Sequence, residues 1–262
     1  MIGTGLPLAL REKLEAGQWL RTAHRGAPFV APGNSARALE AAAMIGVDLI
    51  EVDLHATRDG RLVLWHDDDV HGDARGVDGT KHVIATSNLE TLQRIDIGDG
   101  QHLITLETGI EIARGHCGLM VDLKAEGLAK GIVQTVRHLG FAPLIVCGGS
   151  RSTLQEIQSL EPSIGTSLTL SGDWRTAYGI GDLEIGTPAV TVDGRLLDPS
   201  NGGQALLERL HAQNITVLAW TIDRPEDMHA CLSLGVKGLT SNRPDLLAQL
   251  ENPYGVERMV AR

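Results

Sequence analysis

Short β-rich runs alternate with helical patterns along most of the chain, and this alternation limits the fold more than any other feature of the sequence. Nine runs are candidate strands, at residues 19–24, 48–54, 61–66, 118–124, 143–147, 165–170, 189–192, 215–220 and 238–241. Helical patterns lie between them, for instance at residues 35–45, 107–114, 128–139, 153–160, 203–213, 225–234 and 244–250. This order is typical of βα units on a parallel sheet and argues against a sandwich or a helical bundle.

The third candidate strand does not fit a βα unit. It follows the second across the turn Arg58-Asp59-Gly60, which leaves no room for a crossover helix, so we predict a hairpin outside the barrel. The eight remaining strands predict an α/β fold of the (β/α)8 TIM-barrel type. Residues 68–105 are too long and too polar for a bare connection, and they predict a small insertion or lid after the second strand, beside the active site.

Length, charge and cysteine content exclude several classes of protein. The 262 residues are 42% hydrophobic, enough for one large core, so residues 1–262 are interpreted as a single barrel domain. The formal net charge of −10 works against binding of nucleic acid through a broad basic surface. The three cysteines lack metal-site spacing, and the N-terminal segment makes a poor signal peptide. No apolar run approaches the roughly 18 residues that a membrane span needs. These features predict a cytoplasmic protein without membrane insertion.

Residues that can carry chemistry stand at the ends of the first strands, where barrel enzymes keep their catalytic groups. The segments are His24-Arg25-Gly26, Glu51-Val52-Asp53, His66-Asp67 and Asp122-Leu123-Lys124. Strand residues two apart share a face, so Glu51 and Asp53 can point inward together, as can Asp122 and Lys124. Three converging carboxylates repel each other unless a cation lies among them, which predicts one divalent ion, Mg²⁺ or Ca²⁺.

Zinc is a weaker candidate, because oxygen-only ligation does not suit it. His24 or His55 could add a nitrogen ligand if either side chain faced the other way. His55 is otherwise interpreted as a supporting or structural residue.

The segments AHRGAP, GNS and GVDLIEVDLHATRDGRLVLWHD, in this order, resemble the glycerophosphodiester phosphodiesterase family. The resemblance continues through residues 121–124, 219–223 and 235–245, and it covers about residues 21–245. It implies cleavage of a small-molecule glycerophosphodiester to glycerol 3-phosphate and an alcohol. It further implies that Glu51, Asp53 and Asp122 hold the metal, and that His24 and His66 are the acid and the base.

Elementary chemistry agrees with these roles, because phosphodiester cleavage needs a base, an acid and positive charge near the phosphorane-like transition state. Arg25 and Lys124 supply positive charge and are predicted to bind substrate. Trp220 is predicted to line the pocket, with barrel filling as the alternative. The nucleophile stays open between water and a neighbouring hydroxyl of the substrate, and the second route passes through a cyclic phosphate.

Four positions depart from the family pattern. Gly33 stands where Glu is usual, and Asp122 where Glu is usual, so a carboxylate is lost and a metal ligand is shortened. Asp223 stands where Asn is expected and Asn242 where Asp is expected. The sequence offers no account of this exchange.

Two other functions are compatible with the same residues. A lyase-type relative on this barrel would form a cyclic phosphate from a lysophospholipid or a sugar phosphodiester. A non-catalytic barrel that binds a phosphodiester is suggested by Gly33 and Asp122, but both histidines, Arg25 and Lys124 argue against it.

The released alcohol is unassigned, since 3% aromatic residues do not indicate a choline cage. A homo-oligomer is an open expectation, because barrels often pair through outer helices.

Overall fold

The computed structural model describes residues 5–71, 81–172, 188–198, 200 and 202–252. The strands in these ranges are β1 (Leu20–His24), β2 (Leu49–Ala56), β3 (Leu62–Leu64), β4 (Asp69–Val70), β5 (His82–Val83), β6 (Gly118–Leu123), β7 (Leu144–Gly148), β8 (Gly165–Thr166), β9 (Leu168–Leu170), β10 (Ala189–Asp193), β11 (Thr216–Trp220) and β12 (Gly238–Ser241). The α-helices are α1 (Leu8–Glu15), α2 (Ala36–Ile45), α3 (Leu89–Leu92), α4 (Leu106–Ala113), α5 (Ala129–Leu139), α6 (Arg151–Leu160), α7 (Gly203–Ala212), α8 (Pro225–Ser233) and α9 (Pro244–Gln249). Short 3₁₀ helices lie at Ile84–Thr86 and Gly194–Leu197.

Parallel strands close into a barrel in the order β8-β7-β6-β2-β1-β12-β11-β10-β9. Strands β8 and β9 are two halves of one run, interrupted at Ser167, and they close the barrel because β8 pairs with β7 while β9 pairs with β10. The Ser167 backbone N still donates to the Val146 carbonyl at 2.9 Å. Counted as one strand, this run makes eight, so the predicted (β/α)8 barrel is confirmed.

The hairpin excursion is also confirmed. Strand β3 pairs antiparallel with the end of β2 and lies off the path of the barrel. This pairing places the residues that follow β3 beside the carboxyl end of β2, next to the mouth of the barrel.

Helix α1 is absent from the predicted elements, because it is short and its apolar positions are separated by charged residues. Its buried Leu10 and Leu14 lie one turn apart and join a separate apolar cluster inside the barrel. The cluster comprises Leu6, Leu10, Leu14, Leu20, Leu49, Met120, Ile145, Cys147, Ala189 and Leu218. The helix thus covers the amino-terminal end of the strands, which leaves the opposite end for chemistry.

Helix α2 fixes the loop that follows β1. The Ser35 hydroxyl caps the helix by accepting from the Ala38 backbone N, and Gly46 ends it with a φ of 85° in the left-handed region. Helices α8 and α9 begin at Pro225 and Pro244, where two of the predicted helical patterns also begin, and proline suits a first helical turn.

The segment predicted as an insertion contains β4, β5 and α3, and it shares an apolar cluster with strand β3 of the hairpin. The cluster comprises Val63, Val70, Ile84, Leu92, Ile95 and Leu103. The Trp65 indole Nε1 donates to the Asp69 carbonyl at 2.8 Å, which ties β4 to the hairpin. Residues 72–80 of the predicted lid lie outside the described residues. Among the described helices, none has the length and apolar character needed to cross a membrane.

Candidate active site

All eight predicted site residues line one cavity of about 250 Å³ at the carboxyl ends of the barrel strands. They are His24, Arg25, Glu51, Asp53, His66, Asp122, Lys124 and Trp220. Six further lining residues were not predicted, namely Met120, Cys147, Thr169, Ser171, Thr191 and Thr240. Most of these six follow the inward-facing alternation of the strands, which is the sequence signal that could have found them.

Three carboxylates meet because of the strand register. Glu51 and Asp53 share the inner face of β2, and Asp53 is the register partner of Asp122 on β6. One oxygen from each of the three groups lies within 4.8 Å of the others. Burial and the neighbouring charges of Asp53 and Asp122 raise the pKa of Glu51. This oxygen-only group could hold a divalent metal, whose charge would offset that repulsion.

Two cationic side chains contact the carboxylates. The Lys124 Nζ lies 2.6 Å from Asp122 Oδ2 and 3.0 Å from Asp53 Oδ1, and Arg25 Nε lies 3.0 Å from Asp53 Oδ2. Burial works to raise the pKa of Asp53, but Lys124 and Arg25 outweigh it and the net shift is downward. Burial works to lower the pKa of Lys124, but Asp122 and Asp53 raise it overall. Two cations therefore face three carboxylates, which leaves room for a further positive charge.

Asn34 holds Asp53 in place. Its Nδ2 donates to Asp53 Oδ2 at 2.8 Å, and its Oδ1 accepts from the Asp53 backbone N at 3.1 Å. Asn34 has a φ of 64°, a left-handed conformation that Asn adopts more readily than most residues. It was not predicted as a site residue, although the GNS segment in which it lies was part of the resemblance.

His24 lies between the carboxylates and the last strand. Its Nδ1 is 2.7 Å from Asn242 Oδ1, and its Nε2 is 3.8 Å from Glu51 Oε2. Burial is the main cause that lowers the pKa of His24, against the opposing effect of the hydrogen bond with Asn242. The ring is therefore favoured in its neutral form.

The exchanged pair of residues 223 and 242 forms one network. Asp223 Oδ1 accepts from the Asn242 backbone N at 2.8 Å, and Asp223 Oδ2 accepts from Asn242 Nδ2 at 2.8 Å. The Ser241 hydroxyl donates to Asp223 Oδ1 at 2.8 Å. An amide and a carboxylate still face each other here, so the exchange preserves a matched donor and acceptor between the two positions.

His66 comes from the hairpin and lies at the rim of the cavity. Its side chain is 43% exposed, and its Nδ1 lies 2.7 Å from Asp67 Oδ1. The backbone carbonyl of His66 is 3.4 Å from the Nε2 of the buried His55. His55 is not among the residues that line the cavity. Its contact with the hairpin agrees with the interpretation of His55 as a supporting or structural residue.

A glycine lies at or beside each of the two positions where the family has Glu. Gly33 replaces one of these residues, and Gly148 lies beside Asp122, which replaces the other. A Cβ at Gly33 would lie 2.9 Å from Arg25 Cβ, so the Arg25 side chain occupies the space above this glycine. A Cβ at Gly148 would lie 2.0 Å from Asp122 Oδ1. Gly148 thus provides the space in which the shorter Asp122 carboxylate lies.

Comparison with known proteins shows which family this chain resembles. The model of the glycerophosphoryl diester phosphodiesterase family matches residues 24–126 and 122–246. Probable glycerophosphodiester phosphodiesterase 2 of Mycobacterium tuberculosis is 30% identical over 249 residues, which cover 90% of this chain and 92% of the relative. Glycerophosphodiester phosphodiesterase of Caldanaerobacter subterraneus is 25% identical over 250 residues, covering 89% of this chain and 98% of the relative.

Solved structures show the same fold. A phosphodiesterase from Oleispira antarctica, in complex with the product sn-glycerol-3-phosphate, matches with a TM-score of 0.72 and 22% identity, over 88% of this chain and 96% of that one. Glycerophosphodiester phosphodiesterase from Thermotoga maritima matches with a TM-score of 0.74 and 17% identity, over 88% and 98%. This chain belongs to the glycerophosphoryl diester phosphodiesterase family and is a phosphoric diester hydrolase.

Proposed function

We propose that the chain hydrolyses a glycerophosphodiester to glycerol 3-phosphate and an alcohol, with His24 and His66 as base and acid beside one divalent ion. The observation that carries this proposal is the cavity itself, which brings together all eight residues predicted from the sequence. The carboxylate oxygens of Glu51, Asp53 and Asp122 lie within 4.8 Å of each other in the wall of that cavity.

The three carboxylates would hold Mg²⁺ or Ca²⁺, since both ions prefer oxygen ligands. When bound, the ion would stabilise the negative charge that develops on the phosphoryl oxygens. Glu51 needs such a cation most, because it is buried among like charges. Arg25 and Lys124 would add positive charge on either side of Asp53 and help to orient the phosphate. Trp220 would form part of the wall.

The two histidines have environments that suit opposite proton-transfer roles. His24 is mostly buried, its pKa is lowered by burial, and its Nε2 faces the carboxylate cluster. It would accept the proton of the attacking hydroxyl, whether that hydroxyl belongs to water or to the substrate. His66 is exposed at the rim, with its Nδ1 beside Asp67. It would donate a proton to the departing alkoxide.

The test is release of glycerol 3-phosphate from a panel of glycerophosphodiesters by metal-stripped protein, with Mg²⁺, Ca²⁺ or Mn²⁺ added back. Release that returns with one ion supports the proposal and identifies the metal. A cyclic phosphate as the final product would instead indicate the lyase-type relative. No turnover of any substrate with any ion would contradict the proposed hydrolysis. Location in the cytoplasm, the absence of nucleic acid among the partners and the oligomeric state stay predictions.

A further inference from the structure

The orientation of the Asn242 amide is fixed by its partners. Its Nδ2 and its backbone N both lie 2.8 Å from oxygens of Asp223. An ionised carboxylate can only accept hydrogen bonds, so the amide must present its NH₂ group to Asp223. The Ser241 hydroxyl, 2.8 Å from Asp223 Oδ1, holds the carboxylate from a second direction. The carbonyl oxygen of Asn242 therefore points away from Asp223 and towards His24.

This orientation decides which ring nitrogen of His24 carries the proton. Asn242 Oδ1 lies 2.7 Å from His24 Nδ1, and an amide oxygen has no proton to give. The hydrogen must therefore be on Nδ1, which donates to Asn242. In a neutral imidazole the other nitrogen, Nε2, then carries the lone pair. That nitrogen is the one that lies 3.8 Å from Glu51 Oε2, on the side of the carboxylates.

We propose that Asn242 and Asp223 are positioning residues, which hold the His24 ring with its proton on Nδ1 and keep Nε2 as the acceptor that faces the reacting groups. This inference rests on the proposed role of His24 as the base. It also explains why Asn and Asp can be exchanged between positions 223 and 242. In either arrangement the residue at 242 offers an oxygen that accepts from His24, and the amide of one residue donates to the carboxylate of the other. Neither residue needs to touch the substrate.

The first test is a cycle of three variants. In Asp223→Asn, Asn242 faces a second amide and can rotate to present its NH₂ group to His24, which moves the ring proton to Nε2. In Asn242→Asp, two carboxylates face each other and repel, so the side chain at position 242 is no longer held in place beside His24. We expect each single variant to lower kcat by about 10–100-fold with little change in KM, the usual scale for loss of a group that orients a functional histidine. The double variant Asp223→Asn/Asn242→Asp restores one amide and one carboxylate, so kcat should return to within a few-fold of the parent.

The second test observes the tautomer directly. Ring ¹⁵N shifts of histidine-labelled protein, with His24 assigned by comparison with His24→Gln, should show Nδ1 protonated in the parent and in the double variant, but not in Asp223→Asn. Asp245→Asn is the matched control, since it removes a carboxylate from the same end of the barrel that binds Arg243 and does not contact His24. It should leave both kcat and the His24 shifts unchanged.

Two results would overturn the inference: a parent enzyme with the His24 proton on Nε2, or a double variant as impaired as the single ones although folded. The NMR measurement does not require turnover. A parent that shows the Nδ1 tautomer but hydrolyses no glycerophosphodiester would therefore refute the proposed function and leave the positioning pair standing.

Discussion

Asn34 binds Asp53 through both ends of its amide, accepting from the Asp53 backbone N at 3.1 Å and donating to the Oδ2 carboxylate oxygen at 2.8 Å. The second contact restrains the carboxylate of one predicted metal ligand. The loop between β1 and α2 is thereby tied to β2, across the mouth of the barrel. A buried carboxylate held by such a hydrogen bond loses little conformational freedom when it binds an ion. Residues that hydrogen-bond to metal ligands usually have this orienting function.

Asn34→Ala should therefore weaken metal binding by about 10–100-fold without removing any ligand. The expected cause is a freer Asp53 carboxylate, which Arg25 and Lys124 can draw away from Glu51. Calorimetric titration of the metal-stripped protein with Mg²⁺ or Ca²⁺ measures the effect. An affinity equal to that of the parent would show that the two cations alone hold Asp53 in place.

The sequence predicts most of the fold and of the site for local reasons. Strand ends, helical periodicity and two-residue alternation are set by near neighbours, so the eight barrel strands and the inward pairs at Glu51 and Asp122 follow from pattern alone. The contact between His24 and Asn242 joins residues that are 218 positions apart. It becomes visible only when β1 pairs with β12 as the barrel closes.

Other features depend on packing that no local pattern encodes. Helix α1 is two turns long and buries only Leu10 and Leu14 of its residues, so its stability comes from the barrel interior rather than from its own periodicity. The space that Gly148 leaves for Asp122 likewise depends on two neighbouring strands. Sequence resemblance indicated that Asp122 was short, but only the structure shows what surrounds it.

Glu51→Gln should separate two effects of the carboxylate cluster: the loss of stability that its repulsion causes and its ability to bind a metal ion. The change removes a buried negative charge beside Asp53 and Asp122 but keeps the shape of the side chain. We expect the metal-free variant to have a higher Tm than the metal-free parent. We expect added metal to raise the Tm of the parent, because the ion binds the folded state, and we expect this rise to be lost or strongly reduced in the variant.

Thermal unfolding of both proteins with and without the ion tests this prediction. Glu51→Ala and Asp53→Ala should likewise abolish metal binding and turnover while the fold survives. Unchanged turnover in both alanine variants would refute the metal assignment.

His66→Ala should lower kcat by about 10²–10⁴-fold, the usual scale for loss of a general acid or base, with little change in metal affinity. His66 lies at the rim and contacts Asp67 rather than the carboxylate cluster, which is why the two properties should separate. A substrate whose alcohol leaves without protonation, such as a nitrophenyl phosphodiester, should be affected much less. An equal loss with both kinds of substrate would assign the donor role to another group.

Gly148→Ala should damage the site through Asp122. The added methyl group would lie 2.0 Å from Asp122 Oδ1, so the carboxylate must move away from Glu51 and Asp53. Gly115→Ala is the matched control, because Gly115 also has a positive φ, 79° against 68° for Gly148, but has nothing within 4 Å of an added Cβ. Gly115→Ala should lower the free energy of unfolding by about 1–2 kcal/mol, the cost of a left-handed conformation for a residue with a side chain. Gly148→Ala should lower it by more, because its added Cβ would also lie 3.0 and 3.1 Å from the Leu123 backbone N and O.

Only the change at position 148 should also weaken metal binding and turnover, and titration of the two variants with the activating ion compares them directly. Equal metal affinities would mean that Asp122 can shift without loss, and that Glu51 and Asp53 are sufficient to hold the ion. A loss confined to Gly148→Ala would show that the shortened ligand depends on the glycine beside it.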